Sequence, residues 1–103
     1  MQSFEIFSKK WELDGQNEGT HVSLTFTDAW DIRIDQCDTG ASVERTYGDW
    51  DYEQWLVVPR AQAATLMRVL FQYAFNQHEP LGFQHLATLL EREGVTVERG
   101  SWV

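Results

Sequence analysis

Along the chain, apolar residues recur at a strand-like period of two as far as residue 58 and at a helical period beyond it. Thr20 to Phe26 alternates cleanly, with Val22, Leu24 and Phe26 on one face and His21, Ser23 and Thr25 on the other. Thr27, Asp28 and Ala29 make a short connection. Trp30, Ile32 and Ile34 then resume the apolar face opposite Asp31, Arg33 and Asp35, so the two runs predict an antiparallel hairpin. Upstream, Ser3 to Leu13 mixes parities: Phe4 and Ile6 fall on one, Phe7, Trp11 and Leu13 on the other. A strand with a bulge near Ser8 to Lys10, or a twisted edge strand, would reconcile them. Asp14 to Gly19 is turn chemistry throughout.

Cys37 to Gly40 reads as the next turn, with Gly40 available for a positive φ. Ala41 to Tyr47 reads as a strand whose inner face is ambiguous, because Val43 and Tyr47 share a parity with Arg45. After a turn over Gly48 to Asp51, Tyr52 to Val58 closes the meander. Tyr52, Leu56 and Val58 point to the core and Glu53, Trp55 and Val57 outward, which leaves Gln54 facing inward.

Val57 to Phe75 carries the strongest helical pattern. Pro59 suits a first helical position, Ala63, Leu66, Met67, Leu70 and Ala74 fall on one face, and Ala64, Phe71 and Phe75 form a second stripe. A helix so apolar around its circumference is expected to be covered on two sides, by the sheet and by a second helix. Leu81 to Glu93 supplies that second helix, with Phe83, Leu86, Leu89 and Leu90 apolar, Gly94 as a left-handed terminator and Val95 as the contact after it. Thr96 to Val103 could add a short edge strand or a tail folded over the helices, with Trp102 docked. The expected fold is therefore a single α+β domain over 1–103. It is an antiparallel meander of four to five strands packed on two C-terminal helices, with a short C-terminal strand left open.

Composition narrows the class. A chain of 103 residues with 43% hydrophobic and 14% aromatic content can close a core by itself. No long apolar stretch suggests a signal or a membrane span, and Cys37 is the lone cysteine, so a reducing, cytoplasmic setting is expected. The net charge of −8 is unevenly placed. Before Pro59, Glu5, Glu12, Asp14, Glu18, Asp28, Asp31, Asp35, Asp38, Glu44, Asp49, Asp51 and Glu53 face only Lys9, Lys10, Arg33 and Arg45; beyond it the charges balance.

Candidate chemistry is sparse. Asp49, Asp51 and Glu53 look like the opening of a calcium loop, but Gln54 and Arg60 stand where that loop needs Gly and Glu. His78 and His85 are not spaced as a helical ligand pair, and His21 lies on a polar strand face. Cys37, flanked by Asp35 and Asp38, is in the wrong setting for a thiolate. Phosphate loops, nucleophile elbows and CxxC pairs do not occur, so neither an enzyme nor a bound cofactor or metal is expected.

Function has to be argued from the acidity. Trp30, Trp50, Trp55, Tyr47 and Tyr52 lie among acids, a combination suited to interface anchors that steer a basic partner. The expectation is a non-enzymatic protein-binding domain of the inhibitor, immunity-protein or DNA-mimic kind. Its site would comprise Asp31, Asp35, Asp49, Trp50, Asp51, Glu53 and Trp55, and its partner would be a basic protein surface such as that of a nuclease. Single-strand nucleic-acid binding is the alternative; exposed aromatics favour it and the acid excess opposes it. A homodimer or homo-oligomeric accessory subunit also stays open.

Overall fold

The alternating first half forms one antiparallel sheet whose strands lie side by side in chain order. The computed structural model describes residues 1–76 and 79–102. The strands are β1 (Gln2–Leu13), β2 (Gln16–Phe26), β3 (Ile32–Gly40), β4 (Asp51–Val58) and β5 (Glu98–Trp102), in the order β1-β2-β3-β4-β5. Helix α1 (Ala41–Tyr47) connects β3 to β4. After a 3-10 turn over Arg60–Gln62, α2 (Ala63–Asn76) and α3 (Phe83–Arg92) pack on one sheet face before the chain returns as β5. This is the expected α+β meander, with five strands, the short C-terminal one among them. The possible strand end at Val103 lies outside the described residues, as does His78. No described helix is long and apolar enough to cross a membrane.

The hairpin β1–β2 turns on Asp14 and Gly15 alone, whose φ values of 54° and 77° are what a two-residue turn with the right twist demands. Gln16 to Gly19, expected in the turn, is therefore strand. Parity along β1 is repaired by a bulge, but at Ile6, between the pairs Glu5–Ser23 and Phe7–Val22, rather than at Ser8 to Lys10. Beyond it Phe7, Trp11 and Leu13 join Phe4 on the helix-bearing side. Trp30 does not resume the apolar face: it sits at φ 64° in the turn, 58% exposed, where the Trp30 N–H bonds to the Thr27 carbonyl.

Two local expectations change between β3 and β4. Cys37 to Gly40 continues β3, and Ala41 to Tyr47 is a helix instead of a strand. The shared parity of Val43 and Tyr47 is an i, i+4 pair: Val43 is buried and Tyr47 stacks on Tyr52 with ring centroids 4.1 Å apart. The helix starts here because a distant residue caps it. The buried carboxylate of Glu18 accepts hydrogen bonds from the Ser42 N–H (3.0 Å) and hydroxyl. A Cβ at Gly40 would overlap that carboxylate, and Gly48 ends the helix in the left-handed region.

The core joins Ile34, Leu56 and Val58 of the sheet to Leu66 and Val69 of α2, Phe83, Leu86, Ala87 and Leu90 of α3, and Val95. Gln54, which does face inward, accepts from the Gln84 side-chain amide. Helix α3 is the one that is properly covered: its buried residues recur at i, i+3, i+4 and i+7. Gly94 and Val95 end it as expected, with Gly94 N–H bonded to the Glu91 carbonyl and Val95 N–H to that of Leu90. The expectation of a two-sided cover for α2 is overturned. Only Leu66 and Val69 are buried, while Met67, Leu70, Phe71 and Phe75 stay exposed. The helices cover β3 and β4 and leave the same face of β1 open, so every residue of β1 is exposed.

Candidate functional site

The sheet face away from the helices is open, and strand register fixes which side chains occupy it. Rows of paired residues run across it: Ser8, His21, Cys37, Glu53 and Trp102 in one, Ser23, Asp35, Trp55 and Gly100 in the next, then Ser3, Thr25, Arg33, Val57 and Glu98. Lys10, Gly19, Thr39 and Asp51 form a fourth row at one end. The face thus carries Glu5, Glu12, Asp35, Asp51, Glu53 and Glu98 against Lys10 and Arg33. Charge that was merely excessive in the sequence is concentrated on one surface by the period of two.

Trp55 is the organised ring of this face. Gly100 lies directly across from it on β5, and a Cβ there would collide with the indole, so the glycine lets the ring lie over β5. Arg33 lies over the ring, its guanidinium carbon 5.1 Å from the centroid, and is held by Asp35 at 2.9 Å. The hydrogen bond to Asp35 raises the Arg33 pKa further, against the opposing effect of burial, so this cation is permanent and already partnered. Trp102 stands opposite Glu53 with 70% of its surface exposed. The tail is docked as a strand, but this ring is not docked with it.

Of the residues expected to form the site, Asp35, Asp51, Glu53 and Trp55 share this face. Asp49 and the exposed Trp50 lie in the bend just before β4, at its rim. Asp31 does not belong to it: it lies at the opposite end of β3, where its carboxylate caps the Arg60 N–H at 2.9 Å and so starts the turn into α2. Trp102, Glu98 and Glu5 were missed. The alternation of Glu98, Gly100 and Trp102 was the available signal, hidden by the uncertain fate of the tail.

The chemistry of single groups stays mild. A shallow cavity of about 190 Å³ lies among His21, Ser23, Asp35, Cys37 and Glu53. Burial, then the charges of Glu53, Asp51 and Asp38, pushes the Cys37 thiol pKa up, which keeps it protonated and weakly nucleophilic. His21 Nδ1 lies 3.2 Å from the Glu5 carboxylate, and His85 meets the Tyr73 ring edge-on. Among the described residues, no three His, Cys, Asp or Glu side chains are grouped so as to hold a metal ion. No protein-family model, curated protein or solved structure matches the chain.

Proposed function

We propose that this chain is a non-catalytic protein-binding domain whose acidic outer sheet face docks on a basic protein surface. The observation that carries the reading is the placement of Trp55 and Trp102 among Asp35, Asp51, Glu53 and Glu98 on one uncovered face. Aromatic rings supply anchor area at little conformational cost, and surrounding carboxylates speed encounter with a cationic partner. Inhibitors, immunity proteins and DNA mimics use this combination, so a nuclease or another nucleic-acid-binding protein is the partner class, met in a reducing compartment such as the cytoplasm. The alternative, a single-stranded nucleic acid stacking on the tryptophans, has to overcome six carboxylates with Lys10 and Arg33, the latter already bound to Asp35.

The test is affinity capture from cognate extract with wild-type bait and with the Asp51→Lys, Glu53→Lys, Glu98→Lys triple variant. A basic protein retained at low salt by the wild type, lost at raised salt and lost with the variant, is the expected result. Capture that ignores both salt and the three reversals would contradict the reading.

A further inference from the structure

On the helix-bearing side, the sheet and α2 do not close on one another. A cleft of about 360 Å³ separates them, lined by Ile6, Leu24 and Phe26 from the sheet and Met67, Leu70 and Phe83 from the helices. Among the described residues, no Asp, Glu, Lys or Arg contributes to its walls. Of its lining residues Ile6, Met67 and Leu70 remain exposed, as do Phe4 and Phe7, which pair across from the lining residues Leu24 and Val22, and Phe71, one helical turn beyond Met67. The six are each 37–60% exposed, and Phe75 lies one turn further along α2. Those exposures amount to about three whole side chains before Phe75 is counted. At ~150–250 Å² per large ring, the patch comes to roughly 600 Å². That is at or above the largest apolar patch of an ordinary monomer and approaches the ~800 Å² that each partner contributes to a stable interface.

We propose that a second copy of this chain covers this patch, forming a two-fold homodimer. Two features select that occupant. The patch is self-complementary in kind: Met67, Phe71 and Phe75, spaced at i, i+4 and i+8, form a projecting ridge beside an apolar groove, and a two-fold axis lets each ridge enter the other copy's groove. The charge pattern agrees, because a basic partner would find no carboxylate in the cleft, whereas two identical uncharged clefts can meet without opposing their like charges. The acidic faces lie on the other side of the sheet and stay free in both copies. This dimer is independent of what those faces bind.

Light scattering after size exclusion, at about 50 μM protein, tests it. The wild type should run at about 24 kDa, twice the 12.0 kDa of one chain. Met67→Glu/Phe71→Glu alters two exposed side chains, so it should keep the wild-type circular dichroism and elute at one chain's mass, its dimer weakened at least 100-fold. Ile6→Lys attacks the groove from the sheet side and should do the same, whereas Asp51→Lys/Glu53→Lys should stay dimeric. A wild type that remains at one chain's mass, with the cleft then free for an apolar ligand or a foreign protein, would overturn the proposal. So would a dimer that persists in folded Met67→Glu/Phe71→Glu.

Discussion

Replacing Glu18 by Ala removes the long-range hydrogen bonds that hold the first turn of the helix over residues 41–47. In the native structure Glu18 is 4% exposed, and its carboxylate accepts from both the N–H and the hydroxyl of Ser42. Hydrogen bonds to a charged acceptor contribute about 1.5–3 kcal/mol each, and loss of a helix cap costs ~1 kcal/mol. Releasing a buried charge from its desolvated site offsets several kcal/mol of that gross sum. The expected net loss is about 2 kcal/mol, which for a domain of this size lowers the melting temperature by roughly 8–16 °C. Urea titration followed by circular dichroism measures it. Glu18→Gln, which keeps the shape and one acceptor oxygen, should fall between wild type and Glu18→Ala. An alanine variant within about 0.5 kcal/mol of wild type would refute the account of how α1 is held.

Three further outcomes follow from burial and charge. Leu90→Ala, at a fully buried position, should cost about 2–5 kcal/mol in the same titration, while Trp102→Ala should stay within about 0.5 kcal/mol because its ring is in water. Cys37 should react with iodoacetamide at pH 8 more slowly than a free thiol, and Asp51→Asn/Glu53→Gln should speed it by removing two of the charges that raise its pKa. A thiol pKa raised on folding supports the fold fully below the unfolded value of about 8.5. That contribution is lost as pH rises through the higher folded value, so Cys37→Ala should lessen the alkaline loss of stability.

What the sequence made legible was period. Alternation in β2, β3 and β4 predicted their faces and the β2–β3 hairpin, and so the outward parity of Asp35, Glu53 and Trp55. That β3 lies beside β4, with Asp35 opposite Trp55, was hidden by the strand expected at Ala41 to Tyr47. The i, i+3, i+4 pattern of α3 and its Gly94 terminator were equally readable. Long-range chemistry was not. Ala41 to Tyr47 carries a weak local signal that is resolved by Glu18, a residue placed 24 positions upstream in what resembles a turn. Asp31 looked like one more acid of the binding face, yet its carboxylate is spent on the Arg60 N–H. Helix α2 shows the limit of periodicity: an apolar circumference states that two sides should be covered, but not that one of them is left open by the chain's own elements.

The outer face as an acidic, cation-seeking surface is the central claim, and fluorescence anisotropy with two labelled probes tests it most directly. One probe is a Lys- and Arg-rich peptide, the other single-stranded DNA, both at low and at physiological salt. Wild type should bind the peptide with an affinity that falls steeply with salt, and should leave the DNA unbound at micromolar concentration. Asp51→Lys, Glu53→Lys, Glu98→Lys should lose the peptide. A control that reverses Asp28, Glu44 and Glu79 changes the net charge equally, away from this face, and should keep most of the binding. Micromolar DNA binding by the wild type, or equal losses in the two triple variants, would contradict the claim.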